Sequence, residues 1–241
     1  MAHGSPDWAA QAPKSTLFGL YDMAELAARL GSPVTFDRRG DVVFCDDFTN
    51  GLGRWVETGS GYGNDAYPVV YPTRTLGMAI MLRTGSGIND IGGILREIPY
   101  PVLGKIGFET SFVVYAGVAE FRLWIALYTG TAVYDYFVSY HHANGSLYIR
   151  EPASDVVIGT PGVVYEDYAH FQTVKLVVDI SANRYERVIF NDHTYLLTAH
   201  APRVTADAGV RRCVALLEVF SAITGCVTAV VDDAIFTQNE P

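Results

Sequence analysis

The chain has 241 residues, 49% of them apolar and 18% charged, with 23 Gly and 15 Tyr, enough to bury one full core and too apolar for disorder over most of its length. A net charge of −9 without any run of Lys and Arg argues against a nucleic-acid partner, and no apolar run approaches a membrane span. Arg38-Arg39 and Arg211-Arg212 are isolated pairs, and Cys45, Cys213 and Cys226 have neither metal-type spacing nor the even count of a disulfide framework.

Residues 1–40 stand apart as an N-terminal arm. Asp22-Met-Ala-Glu25 reads as a capping box, with Met23, Leu26 and Leu30 on one apolar stripe, and predicts a short helix over 22–30 that Gly31 and Pro33 end. Two turns of helix are not stable alone, so those three side chains are expected to dock on the rest of the chain or on a neighbouring subunit. Met-Ala-His-Gly-Ser-Pro-Asp-Trp lacks a charged segment followed by an apolar one, so synthesis in the cytoplasm without a signal peptide is expected.

From Asp41 to Pro241 the pattern is strands and turns. Apolar alternation predicts strands near 42–48, 68–71, 76–83, 91–97, 105–116, 120–128, 133–142, 146–150, 171–180, 185–191, 194–197, 210–220 and 225–237. Gly59 to Tyr67 and Glu151 to Asp167 read as loops. Asn144-Gly145, Asn183-Arg184 and Asn191-Asp192-His193 supply hairpin turns.

The strands at 120–128 and 133–142 are the most informative. Side chains alternate between faces, so Phe121, Leu123, Ile125 and Leu127 should share a buried face with Tyr134, Tyr136, Val138 and Tyr140. The opposite face collects Glu120, Arg122, Trp124, Asp135, Ser139 and His141, and the Asn144-Gly145 turn should bring Tyr148 and Arg150 beside them. Aromatic planes beside planar polar groups suit a sugar, and the same residue types suit a subunit interface.

Asp46-Asp-Phe48 with Gly51-Leu-Gly-Arg-Trp55, then His170 to Asp179, Tyr185 to Asn191 and Val231-Asp-Asp-Ala-Ile-Phe236, together resemble concanavalin A-like lectin/glucanase domains, laminin G-like ones included. The resemblance spans about residues 41–238. It implies an all-β, two-sheet antiparallel jelly-roll sandwich with ligands held on a concave face or its rim. It does not reach the arm, which is similar to the anchoring extensions of phage-type virion subunits.

Catalytic signatures are sparse. The Glu-x-Asp-x-x-Glu run of the glucanase branch is absent, and the cross-strand acid pair on offer is Glu120 with Asp135, which the inferred register sets several residues apart. Ion pairs with Arg122 and Arg150 explain those acids more simply. Gly-x-Ser-x-Gly, Cys-x-x-Cys and His-x-x-x-His are also missing. No cofactor is expected. One residue from each terminal aspartate pair, Asp47 and Asp232, could offer oxygens to Ca²⁺, although strand-end charges or turn bonds account for them more simply.

The first reading is a non-catalytic structural or binding subunit of a homo-oligomeric assembly, of the phage or virus-like kind, partnered by itself. The second, from another class, is a carbohydrate-binding domain. The third is a glycoside hydrolase.

Overall fold

The computed structural model describes residues 40–241 except 75–76, 103, 165 and 167–169. The expected helix and Met23, Leu26 and Leu30 lie outside the described residues, among which there is no helix and thus none able to cross a membrane.

The strands in chain order are β1 (Asp41–Asp46), β2 (Val56–Gly59), β3 (Asp65–Val69), β4 (Ala79–Arg83), β5 (Ile91–Ile98), β6 (Lys105–Val114), β7 (Val118–Tyr128) and β8 (Ala132–His141). They continue as β9 (Ser146–Arg150), β10 (Asp155–Gly159), β11 (Gln172–Asp179), β12 (Arg184–Phe190), β13 (His193–Leu196), β14 (Arg203–Ala206), β15 (Arg212–Ser221) and β16 (Thr228–Gln238). The first sheet runs β13-β12-β11-β6-β16-β4-β3, with β1 also on β16. The second runs β10-β9-β8-β7-β15-β5-β2, with β14 also on β8. Both are antiparallel, giving the jelly-roll sandwich that the alternation and the resemblance imply.

Between the sheets the inward faces interdigitate. Phe112 of the first sheet stacks on Phe121 of the second at 4.0 Å, and Tyr140 stacks on Phe190 at 5.4 Å. Asp46, at the end of β1, accepts from Trp55 Nε1 at 3.0 Å and Arg96 at 3.1 Å, and the Arg96 guanidinium lies over Phe44 at 4.1 Å. The Asp-Asp-Phe opening of the β region therefore locks the first sheet to the second.

Tyr185 joins the sheets in the middle. A bulge between Val177 and Val178 in the pairing of β11 with β12 lets both Tyr185 and Val188 point inward, although they are three residues apart. Along one edge β8 pairs with β14 through Asp135 and with β9 from Val138, which leaves a break at 136–137. The Tyr185 hydroxyl fills that break, accepting the Phe137 N–H at 3.0 Å and donating to the Arg150 carbonyl at 2.9 Å. Burial pushes its own proton affinity up.

Three strands were not legible beforehand. β2, β10 and β14 are four or five residues long and lie at sheet edges with much of their surface in solvent, so their sequences carry no burial alternation. The stretch read as a loop from Glu151 to Asp167 thus contains β10, and the one read from Gly59 to Tyr67 contains the start of β3. The cysteines form no disulfide, and burial pushes the Cys213 thiol up to about 12.

Replacing Tyr185 with Phe keeps the ring and strands the Phe137 N–H and the Arg150 carbonyl. The expected loss is roughly 1–3 kcal/mol, the cost of leaving buried backbone groups unsatisfied, measured by urea unfolding. An unchanged midpoint would mean that the hydroxyl carries no such burden.

Candidate functional site

The outer face of the second sheet assembles the predicted residues in the predicted register. β7 and β8 pair Glu120 with His141, Arg122 with Ser139 and Ala126 with Asp135, and β9 sets Tyr148 beside Ser139. Phe121, Leu123, Ile125 and Leu127 face the core with Tyr134, Tyr136, Val138 and Tyr140.

At one end Arg122 Nε donates to Glu120 Oε2 at 2.8 Å, while His141 Nε2 lies 3.0 Å from Ser139 Oγ and 3.6 Å from Glu120 Oε2. The His141 ring lies on Tyr148 with centroids 4.0 Å apart, and Tyr148 is held in turn by Asn144 of the hairpin turn. In the centre the Arg150 guanidinium covers Trp124 at 4.8 Å and Phe137 at 4.2 Å, and Asp155 of β10 holds it through Nε at 3.2 Å. Arg122 lies over Phe220 at 4.3 Å. The face is thus layered, with rings next to the sheet, guanidinium planes on the rings, and carboxylates around the guanidinium edges.

One expectation needs correction. Trp124 is no open platform, because Arg150 lies on one face, Phe137 meets it edge-on at 4.9 Å, and its indole N–H is buried without a partner among the described residues. Tyr148 and His141 offer the accessible aromatic surface instead. Glu120 and Asp135 lie apart as the inferred register has them, too far for a glycosidase pair. Six residues of strand separate Glu120 from Ala126, the partner of Asp135, which is about 20 Å at strand rise, against the ~5–9.5 Å such acids need.

Sequence reasoning missed Glu218, Phe220 and Phe137. β15 sits on the other side of β7 and brings Glu218 opposite Arg122 and Phe220 opposite Glu120, a neighbour relation set by two strands ninety residues apart in the chain. Glu218 Oε2 lies 3.9 Å from Arg122. Phe137 was legible, since it follows the outward alternation of Asp135 and Ser139.

Burial raises the Glu218 pKa, opposed by the charges of Arg122 and Arg150 and reinforced by Glu120. Burial likewise raises Asp135 against Arg150 and Arg203. His141 is held below the ordinary histidine value by burial, with Glu120 pulling it up, Arg122 pushing it down and Asp155 pulling it up.

The metal expectation finds its residues otherwise engaged. Asp47 Oδ1 accepts the Thr49 N–H at 3.0 Å and buried Asp232 accepts the Arg74 N–H at 2.6 Å. Among the described residues no group of three or more His, Cys, Asp or Glu side chains is placed to hold a metal ion.

No protein-family model matches the chain, and no curated protein matches it in sequence. Solved structures match in fold. A carbohydrate esterase of the Shiga toxin-encoding bacteriophage phi24B superposes with a TM-score of 0.51 at 12% identity, over 83% of this chain and 100% of that one. The cellulose-induced protein Cip1 gives 0.51 at 9% identity over 80% and 96%, and a Bacillus subtilis protein with a galectin-like fold gives 0.52 at 10% over 83% and 97%. At 9–12% identity these likenesses are of fold alone, and the fold they share with this chain is a two-sheet jelly-roll.

Two titration outcomes follow. Glu218 has a raised folded-state pKa, so its stabilising contribution is present below the ordinary glutamate value and lost as pH rises through the folded one. Glu218→Gln should therefore unfold at higher urea than the wild type at pH 7, with the gap closing in acid; a gap constant with pH would contradict this. His141 has the opposite sign, its contribution being lost as pH falls toward its lowered value. Removing the Glu120 charge with Glu120→Gln should lower the His141 pKa further in a proton NMR titration.

Proposed function

We propose that this chain is a carbohydrate-binding jelly-roll domain that uses the outer face of its second sheet without catalysis. The observation that supports it is the layer of fixed guanidinium and carboxylate edges around Arg122, flanked by the Tyr148–His141 ring pair. Sugar hydroxyls take in-plane bonds from such groups while a pyranose face lies on an aromatic ring, and groups already held in place lose little freedom on binding. The phage carbohydrate esterase gives the same fold a carbohydrate precedent, by likeness of fold alone. Hydrolysis is disfavoured by geometry. On this face Glu120 and Glu218 both meet the Arg122 guanidinium, which stands where the glycosidic bond and its water would have to sit.

A glycan array followed by calorimetry tests the reading. At least one glycan should bind, and Tyr148→Ala and Glu120→Gln should each weaken it tenfold or more, about 1.4 kcal/mol. An array silent at millimolar strength, or two variants with wild-type affinity, would remove the proposal.

The assembly reading keeps one specific support, the exposed apolar side chains on edge strands: Leu196 on β13, Val157 on β10 and Val204 on β14. Such edges template pairing with a second copy unless they are protected. A homo-oligomer, virus-like or otherwise, would then bury them and dock the arm through Met23, Leu26 and Leu30. Light scattering decides between the two. A monomeric mass for the full chain, unchanged by Leu26→Asp, would leave the carbohydrate reading alone.

A further inference from the structure

A second concave site lies away from the sheet face, along the lateral opening of the sandwich where the edge strand of each sheet ends. It has a volume of about 530 Å³, within the range of roughly 300–1,000 Å³ typical of small-molecule sites. One wall is the segment 160–164, which follows β10; the other is the turn and strand carrying Asn191, Asp192, His193 and Tyr195; His170, Gln172 and Phe190 line it as well.

The walls are fixed by the fold. Tyr140, from the core of the second sheet, donates its hydroxyl to Gly162 O at 3.0 Å and accepts the Val164 N–H at 2.8 Å, and Gly162 N donates to Gly145 O at 3.1 Å. These bonds hold the 160–164 segment at its place beside the hairpin of β8 and β9. On the other side Asn191, with φ of 54°, makes the turn and bonds Thr173 N at 2.9 Å and Gln172 Oε1 at 2.7 Å. Tyr195 and His193 stand two residues apart on β13 and meet edge to face at 4.6 Å. The Tyr195 ring lies so close over Gly159 that a Cβ there would fall 2.1 Å from Cε1, so the ring takes its position only because residue 159 lacks a side chain.

The lining chooses the ligand class. It contains rings, two amides, a hydroxyl and a carboxylate, and no Lys or Arg, which disfavours an anion such as phosphate. Rings that offer a face, with amide and carboxylate groups at the side, suit an uncharged ring with several hydroxyls. We propose that this lateral cleft is a second binding site of the protein, for a neutral hexopyranose, with Tyr195 and His193 as the ring wall and Asp192 as the hydroxyl partner, while Gln172, bonded to Asn191 and to the His170 carbonyl, fixes the floor. The ligand class rests on the carbohydrate reading above, whereas the location rests on the cleft.

The histidine rings separate the two sites in one experiment, because His193 and His170 line the cleft, His193 on its ring wall, and His141 lies on the sheet face. The full chain is titrated in turn with D-glucose, D-galactose and N-acetyl-D-glucosamine to about 10 mM, the range of weak single-sugar affinities. Ring signals are followed by ¹H–¹³C NMR and assigned with His193→Ala and His141→Ala. The expected result is a saturable shift of the His193 signal with at least one sugar, kept in Tyr148→Ala and reduced tenfold or more in apparent affinity by Tyr195→Ala. Gly159→Ala, which alters no lining side chain, should reduce it as well by displacing the Tyr195 ring. A His193 signal that stays still with every sugar, or that moves equally in Tyr195→Ala and Gly159→Ala, overturns the cleft. If His141 alone moves, the sheet-face reading stands without the cleft; if neither moves, both are lost.

Discussion

The hydroxyl of Tyr185 reaches from the first sheet to the backbone of two strands of the second, at Phe137 and Arg150. The strand β8 changes partner along one edge, from β14 to β9, and a change of partner leaves a backbone donor with nothing to meet inside a packed sandwich. A side chain reaching across from the opposite sheet supplies the missing acceptor and, with its own proton, satisfies the end of β9. The two sheets are thereby tied at the point where the second is weakest. Arg150 is fixed at its backbone by the same hydroxyl that closes the gap, and its guanidinium is laid over Trp124 and Phe137 from there.

That placement explains why charged residues tolerate the outer face. Half-buried guanidinium groups lose hydration, and the loss is offset when the plane lies on an aromatic ring and the edge meets a carboxylate. Arg122 and Arg150 each have both kinds of partner. Glu218 is the group that such a network leaves in tension, drawn toward protonation by burial although two arginines act on it. A face organised in this way holds its polar edges at fixed positions before anything binds, which is the property that recognition of a ligand rich in hydroxyls requires.

The lateral cleft depends on the same logic of anchoring from the core. Tyr140 is part of the buried face that alternation predicts, yet its hydroxyl reaches out to hold the 160–164 segment, just as Tyr185 reaches across to hold β8. Two core tyrosines therefore position the two surfaces, and each does so through a hydroxyl at the edge of the apolar interior, where a polar tip finds backbone groups that the sheets leave unpaired.

The sequence by itself determined the all-β class, the register of β7 with β8, and the set of side chains on either face, because side-chain alternation and short turns are local and act over a few residues. It was silent on β2, β10 and β14, whose residues lie at edges where burial leaves no period to read. It also could not show the bulge that turns both Tyr185 and Val188 inward, since parity along the strand sets them on opposite faces. Tertiary structure alone decided that β15 lies beside β7, bringing Glu218 to Arg122, and that the Arg150 guanidinium covers Trp124. Those relations join residues distant in the chain, and their distances depend on how two whole sheets twist and pack, a choice that no short window of sequence contains.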